Sequence, residues 1–174
     1  ALKEASESPS HSVGEVSQKI SHGALMGARG NSGVILSQLL RGLARYFQKK
    51  DVFNASDLAA AMREGAATAY KGVLKPVEGT ILTVARETAD ACARAAEDTD
   101  DLVSILETAV EEARHSVSRT PSLLPVLKEA GVVDAGGQGL AIILEGALRF
   151  ARGESVEITR ISAAHAALPS SEAH

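Results

Sequence analysis

The sequence predicts an all-α protein, folded as an antiparallel up-and-down helical bundle or barrel. Hydrophobic residues make up 45% of the 174 positions, yet aromatic residues make up only 3% and tryptophan is absent. Alanine and leucine favour helices most strongly, and they dominate the apolar positions, whereas the β-branched and aromatic residues typical of strands are sparse. Apolar residues also recur at helical spacing in several segments of roughly 15 to 18 residues, joined by short connections.

The periodicity divides the chain into helices separated by glycine, proline and small polar residues. The predicted helices cover residues 1–7 (the last turns of a helix), 13–28, 33–49, 57–73, 81–97, 101–118 and 121–130, and a last helix follows Asp134 and ends near Arg152. Small polar residues stand at the predicted starts, where side chains cap free N–H groups. These predicted caps are Ser12 in a capping box with Glu15, Asn31 or Ser32, Ser56, Thr80, Asp100, Thr120 ahead of Pro121, and Asp134.

The end of the chain differs in composition from the helical part. Gly153 is a natural stop for the last helix. Residues 155–159 read either as a short strand or as an extended linker, and the final residues are rich in alanine and serine. The sequence therefore predicts one helical domain over 1–153 and a linker or tail over 154–174.

Charge and composition exclude several classes of protein. A net charge of −4 argues against a broad nucleic-acid-binding surface. The single cysteine, Cys92, excludes an internal disulfide framework and lies on an apolar helical stripe, where we expect a small core residue. No apolar run is long enough to cross a bilayer, and the first residues carry no signal-peptide pattern. We therefore expect a cytoplasmic protein.

Three glycine-containing turns are predicted to meet at one end of the bundle. They lie at 30–33, 79–80 and 134–139, each just before a helix. Counting helix directions through an up-and-down bundle brings all three helix starts to the same end. Helix starts carry free N–H groups and a partial positive charge that attracts phosphate, and glycine lets an anion approach the backbone. The turns are also explained by capping alone, and neither a Walker A nor a GxGxxG motif occurs.

The same residues resemble a known family. Three blocks in order are similar to the dihydroxyacetone-kinase L-type domain (DhaL, or DAK2): LMGARGNSGVILSQ at 25–38, KPVEGTILTV at 75–84 and GVVDAGG at 131–137. Within that family they are most similar to the N-terminal nucleotide-binding domain of the bacterial fatty-acid kinases. The resemblance covers about residues 1–155 and implies a barrel-like bundle, of about eight helices in the intact domain, that binds ATP or ADP at one end.

The resemblance also implies site residues, an activity and a partner. The nucleotide-binding residues that it implies are Gly30, Asn31, Ser32, Gly33, Ile35, Gly79, Thr80, Ile81, Asp134 and Gly136. The implied activity is phosphorylation of a fatty acid to an acyl phosphate, with the acyl chain presented by a separate lipid-binding protein. The resemblance assigns no general base. His22 reads as a solvated or packed residue, and Arg29 reads equally as a phosphate partner or a surface residue.

The sequence is also compatible with two other functions, and with a homodimer. In the first, the protein phosphorylates dihydroxyacetone as the nucleotide-binding component of a glycerone kinase, although that branch has other residues in the second and third blocks. In the second, it is a non-catalytic helical interaction domain whose glycine turns are purely structural.

The metal site that the resemblance implies is missing from this sequence. The family binds paired Mg²⁺ ions through an Asp-Gly-Asp-Thr-Gly loop, which would lie one helix upstream of Ala1. The acidic cluster of Asp98, Asp100 and Asp101 is expected at the opposite end of the bundle, where we interpret it as capping a helix. We therefore expect the 174-residue chain alone to bind Mg-ATP weakly and to be inactive as a kinase.

Overall fold

The computed structural model describes residues 1–6 and 10–154, and all the regular structure in these residues is helical. The helices are α1 (Leu2–Ser6), α2 (Val13–Gly27), α3 (Gly30–Phe47), α4 (Ala55–Gly72), α5 (Ile81–Ala95), α6 (Leu102–Leu123), α7 (Pro125–Ala130) and α8 (Ala135–Ala151). The predicted all-α class is confirmed. The predicted strand or linker at 155–159 and almost all of the tail lie outside the described residues.

Consecutive helices pack side by side from α1 to α6, and α8 returns onto α6 and α5. The short α7 contacts only the end of α6 among the stronger contacts. Helix α5 lies at the centre, because it contacts α3, α4, α6 and α8 and buries residues on most of its circumference. In the described part of the chain, no helix is both long and apolar enough to span a membrane.

The core is built mainly from small side chains. One cluster joins α3, α4 and α5 through Leu39, Ala69, Ile81 and Leu82, among others. A second joins α4, α5 and α6 and contains Cys92, which is fully buried as the sequence predicted. The abundance of alanine therefore allows the helices to approach one another closely without bulky side chains between them.

Glycines bring α3 and α4 into backbone contact. A β-carbon at Gly65 would lie 2.8 Å from the Leu39 carbonyl oxygen, and one at Gly42 would overlap the Glu64 carbonyl oxygen. Neither position has room for a side chain. This contact fixes α3 against α4 and, through α4, against the central α5.

The start of α2 corrects the predicted capping box. Ser12 does occupy the N-cap position, but its side chain caps no N–H group. Instead, its hydroxyl donates to the Lys50 carbonyl oxygen (3.2 Å). The first two N–H groups of the helix, those of Val13 and Gly14, bond the Asp51 and Lys50 carbonyl oxygens (both 3.0 Å). The loop after α3 thus replaces Glu15 and the local box.

Two other predicted caps are displaced by neighbouring residues. Helix α4 is capped by Asn54 rather than Ser56, in a reciprocal capping box with Asp57. Helix α6 is capped by Asp101 rather than Asp100, since the Asp101 carboxylate accepts the Ser104 N–H (2.8 Å). Thr80 and Asp134 cap α5 and α8 as predicted.

The predicted helix start at Thr120 and Pro121 is wrong. Helix α6 continues through Pro121 to Leu123, and the short helix begins only at Pro125. Pro121 has no N–H group to bond the Val117 carbonyl, four residues earlier. The Thr120 hydroxyl bonds that carbonyl instead (2.7 Å). The side chain therefore compensates for the bond that the proline removes, and the helix extends past it.

Candidate functional site

The starts of α3, α5 and α8 meet at one end of the bundle, as the helix directions predicted. The contact is closest at Gly136, in the first turn of α8. A β-carbon there would lie 3.1 Å from the Ser32 Oγ and 3.3 Å from the Ile81 Cβ. Residues at the starts of all three helices therefore surround one glycine, whose lack of a side chain lets α8 pack closely against the Ser32 and Ile81 side chains.

The start of α3 offers a row of N–H groups. The N-cap position of α3 is occupied by Arg29, and not by Asn31 or Ser32 as predicted. The Arg29 side chain makes no capping hydrogen bond. The N–H groups of residues 30–33 have no partner within the described part of the chain. Gly30 has a positive φ of 65°, and the side chains of Asn31 and Ser32 are exposed. An exposed, uncapped helix start of this kind is suited to binding an anion.

The start of α5 is a tight, buried turn. Gly79 has a φ of 81°, and a β-carbon there would lie 2.8 Å from the Leu124 Cβ. The Thr80 hydroxyl donates to the Val77 carbonyl oxygen (2.8 Å) and accepts the Leu82 N–H (3.3 Å). The turn is thus pressed against the end of α6 and capped by Thr80.

The start of α8 is anchored to α6. The Asp134 N–H donates to the Thr120 hydroxyl (3.0 Å), and Thr120 is fully buried. The Asp134 carboxylate accepts the Gly137 N–H (2.7 Å). Its carboxylate is therefore a helix cap in this structure. The N–H groups of Ala135 and Gly136 make no hydrogen bond within the described residues.

The two predicted apolar site residues lie beneath the turns. Ile81 is buried in the cluster that joins α3, α4 and α5, and Ile35 packs against the same cluster. Both therefore pack in the core on the inner side of the three helix starts. Asn31 and Ser32 lie at the surface above them.

Other polar candidates lie apart from this end or are already paired. The His22 Nδ1 lies 2.8 Å from a Glu4 carboxylate oxygen, and the ring is exposed. Arg29 bonds the adjacent Ala28 carbonyl oxygen (2.8 Å). Asp101 and its acidic neighbours stand at the opposite end of α5 from Thr80. Within residues 1–6 and 10–154, no group of three or more His, Cys, Asp or Glu residues is placed to hold a metal ion. The described residues therefore do not supply the Mg²⁺ site that the family resemblance implies.

A groove of about 370 Å³ between α4 and α5 contains none of the predicted nucleotide-binding residues. Its two arginines are both neutralised. Arg63 pairs with Asp90 (3.4 Å), and Arg86 pairs with Glu78 (2.7 Å). The groove therefore presents no unpaired cation to a phosphate, whereas the uncapped start of α3 presents free N–H groups.

Comparison with known proteins decides the family. The DAK2 domain family matches residues 1–149. The chain belongs to the DAK2 domain family. This DAK2 domain is 52% identical over 147 residues to an uncharacterized protein of Staphylococcus saprophyticus, covering 84% of the chain and 27% of that relative. It is 49% identical over 154 residues to protein YloV of Bacillus subtilis, covering 88% of the chain and 28% of the relative.

The DAK2 domain thus spans less than a third of the length of these relatives. Membership of the family indicates a kinase-associated nucleotide-binding domain. The structure adds supporting residues that the sequence did not assign to the site: Thr120, which accepts the Asp134 N–H, and Glu78 with Thr83 beside Gly79. Glu78 and Thr83 do stand within the second similar block, so their position there was the available signal.

Proposed function

We propose that the DAK2 domain binds ATP at the joined starts of α3, α5 and α8. The observation that carries this proposal is the approach of Gly136 to the Ser32 and Ile81 side chains, which brings the three helix starts together in one small region. The partial positive charges of the three helix ends add in that region. The nucleotide-binding residues proposed are those predicted from the sequence: Gly30, Asn31, Ser32, Gly33, Ile35, Gly79, Thr80, Ile81, Asp134 and Gly136.

Each turn has a separate part in this proposal. Residues 30–33 supply the row of unpartnered N–H groups for the phosphates, and the exposed side chains of Asn31 and Ser32 supply further hydrogen bonds to them. Thr80 and Ile81 extend the pocket from α5. Gly136 closes it from α8, and Asp134 holds the start of α8 in place through its bond to the Gly137 N–H.

We further propose that the intact protein is a kinase acting on a fatty acid that is presented by a separate lipid-binding protein. A carboxylate oxygen of the fatty acid attacks the γ-phosphorus of ATP. The bond from that phosphorus to the bridging oxygen breaks, and acyl phosphate and ADP are formed. The support is the similarity of all three blocks to the fatty-acid kinase branch. Because ATP is the proposed donor, the proposal includes a cytoplasmic location.

The divalent ions that phosphoryl transfer uses are proposed to bind outside residues 1–6 and 10–154. The described residues contain no suitable cluster of ligands. The expectation of weak Mg-ATP binding and no kinase activity for the 174-residue chain alone follows from this proposal. A calorimetric titration of Mg-ATP into that chain tests it, and tight Mg²⁺-dependent binding would contradict it.

A product assay tests the choice of acceptor. The intact protein is incubated with Mg-ATP and either a fatty acid on its lipid-binding protein or dihydroxyacetone. Hydroxylamine traps an acyl phosphate as a hydroxamate. We expect hydroxamate with the loaded lipid-binding protein and no phosphorylation of dihydroxyacetone. Phosphorylation of dihydroxyacetone instead would assign the chain to the other kinase branch.

A binding assay separates the kinase proposal from a purely structural role for the turns. The double variant Asn31→Ala with Ser32→Ala removes two exposed side chains at the start of α3. Gln48→Ala at the other end of α3 is the matched control. We expect the intact double variant to lose most of its affinity for ATP while its melting temperature and the control are unchanged. Unchanged ATP affinity in the double variant would favour a structural role.

A further inference from the structure

A cluster of polar side chains stands beside the start of α5, formed by Tyr70, Glu78, Thr83 and Arg86 (the Glu78 cluster). Arg86 donates two hydrogen bonds to the Glu78 carboxylate, at 2.7 and 2.9 Å. The Tyr70 hydroxyl donates a third, at 3.1 Å. Burial raises the pKa of Tyr70 to about 12, so its hydroxyl remains protonated at neutral pH.

Thr83 links this cluster to the backbone of the glycine turn. Its hydroxyl donates to the Glu78 carboxylate (2.7 Å) and accepts the N–H of Gly79 (2.8 Å). Thr83 is fully buried, so no water competes for this hydroxyl. Because the hydroxyl proton is committed to Glu78, its oxygen lone pair faces Gly79. The carboxylate therefore determines the direction of the bond that holds the turn.

The turn needs such a restraint because it is short and because the backbone of Gly79 has an unusual conformation. Gly79 adopts a positive φ of 81°, which glycine enters and leaves at little cost. The bond from Thr83 fixes this conformation from within α5 itself. Thr80, the next residue, is then held at the N-cap by its own hydroxyl bonds.

The restraint also selects which N–H groups the start of α5 presents. The N–H of Gly79 is used by Thr83, and that of Leu82 is used by Thr80. The N–H groups of Thr80 and Ile81 make no hydrogen bond within the described part of the chain. These two donors stand at the helix start that faces Gly136 and Ser32.

We propose that Glu78 is a positioning residue for nucleotide binding, acting through Thr83 to hold the Gly79 turn so that the Thr80 and Ile81 N–H groups face the phosphates. This inference rests on the proposed function of the three helix starts. In this proposal Glu78 acts through Thr83 and not by contact with the nucleotide, and its negative charge is balanced by Arg86. Its side chain is 46% exposed and that of Arg86 is 43% exposed, so the ion pair contributes little to global stability.

The test measures ATP affinity by calorimetry and melting temperature by circular dichroism in the intact protein. Glu78→Gln removes the charge and keeps the shape, Thr83→Val removes the linking hydroxyl, and Thr83→Ser restores it. Asp90→Asn is the matched control, because it breaks another exposed ion pair on α5 that has no bond to the turn. We expect Glu78→Gln and Thr83→Val to weaken ATP binding about tenfold. Thr83→Ser and Asp90→Asn should bind as the unaltered protein does.

The variants distinguish a failure of the positioning role of Glu78 from a failure of ATP binding at the three helix starts. If the unaltered protein binds ATP and the Asn31→Ala, Ser32→Ala variant loses it, but Glu78→Gln binds normally, only the positioning role is overturned. Failure of Thr83→Ser to restore binding would also overturn it, because the hydroxyl would then not be the link. If the unaltered protein does not bind ATP, both proposals fail together. Should Thr83→Val fail to fold, the exposed Glu78→Gln variant still decides the result.

Discussion

Ser32 of α3 and Gly136 of α8 lie so close together that a β-carbon at position 136 would be 3.1 Å from the Ser32 hydroxyl oxygen. The two residues belong to different similar blocks of the sequence and are brought together only by the fold. Ile81 of α5 borders the same point at 3.3 Å. Three helix starts thus pack closely around a residue that has no side chain of its own, and this is the structural basis of the proposed nucleotide site.

Gly136→Ala is expected to weaken ATP binding by about tenfold or more, because the added methyl group would crowd Ser32, Asp134 and Ile81 and so shift the three helix starts relative to one another. The fold should tolerate the change. The nearest atom, the Ser32 Oγ, belongs to an exposed side chain, whereas the Asp134 Oδ2 at 3.2 Å and the buried Ile81 Cβ at 3.3 Å need to move by only a few tenths of an ångström. We expect the free energy of unfolding to change by less than about 1 kcal/mol, since alanine favours the helix more than glycine does. Calorimetric titration and urea denaturation of the intact protein measure the two quantities.

Gly146→Ala is the control for this substitution. Gly146 lies on the same helix, and a β-carbon there would meet no atom within 4 Å. We expect unchanged ATP affinity and equal or greater stability. Equal affinities for the two alanine variants would show that the close packing at Gly136 does not shape the binding site.

Gly79→Ala is expected to destabilise the domain by about 2–4 kcal/mol. The left-handed conformation costs an alanine about 1–2 kcal/mol, and overpacking against the Leu124 Cβ at 2.8 Å adds a similar amount. Gly131→Ala is the matched variant, since Gly131 has a φ of 66° but nothing within 4 Å. It should cost only the conformational part. Urea denaturation measures both, and a cost for Gly79→Ala no larger than that for Gly131→Ala would contradict the tight contact.

The capping residues show where sequence patterns stop being informative. Helix existence, order and direction follow from apolar periodicity: α1 to α5 and α8 lie close to their predicted ranges, whereas α6 extends past its predicted end. Ser56 and Asn54 are both good caps, and so are Asp100 and Asp101. Only the backbone path into each helix selects between such neighbours, and that path depends on the packing of the whole loop.

Long-range hydrogen bonds set a second limit on prediction from sequence. The first N–H groups of α2 bond carbonyl oxygens of the loop after α3, which displaces the expected Ser12 and Glu15 box. Thr120 holds Asp134 across two helices, and no local pattern pairs them. By contrast, the meeting of the three glycine turns was predictable, because it requires only the number and direction of the helices.

The ion pair at Glu78 is expected to make stability depend on pH in the acid range. Partial burial acts to raise the pKa of Glu78, but hydrogen bonds from Arg86, Thr83 and Tyr70 outweigh it and lower the pKa below the ordinary 4.5. A lowered pKa in the folded state means that the contribution is complete above 4.5 and is lost as the pH falls through the folded value.

Urea denaturation of the unaltered protein and of Glu78→Gln between neutral pH and pH 3 measures this dependence. We expect the unaltered protein to be the more stable at neutral pH by less than about 1 kcal/mol, because the pair is exposed, and the difference to shrink below about pH 4.5. A difference that stays constant, or that grows as the pH falls, would contradict the assigned hydrogen bonds.

Cys92 is expected to be unreactive in the folded protein. Its side chain is fully buried between α4, α5 and α6, and burial raises the pKa of its thiol to about 12. The reactive thiolate is therefore scarce and inaccessible at neutral pH. A thiol reagent should label it only after denaturation, at a rate that follows unfolding. Rapid labelling of the native 174-residue chain would contradict the packing of the second core cluster.

Hydrogen–deuterium exchange of the intact protein, with and without Mg-ATP, tests the central claim most directly because it locates the ligand on the backbone. The unpartnered N–H groups at the start of α3, and those of Thr80, Ile81 and Gly136, should exchange fast in the free protein. We predict that Mg-ATP slows exchange in peptides covering 29–34, 79–82 and 134–137. Bound nucleotide with protection instead at 98–104 or along the α4–α5 groove, and none at these three starts, would contradict the account.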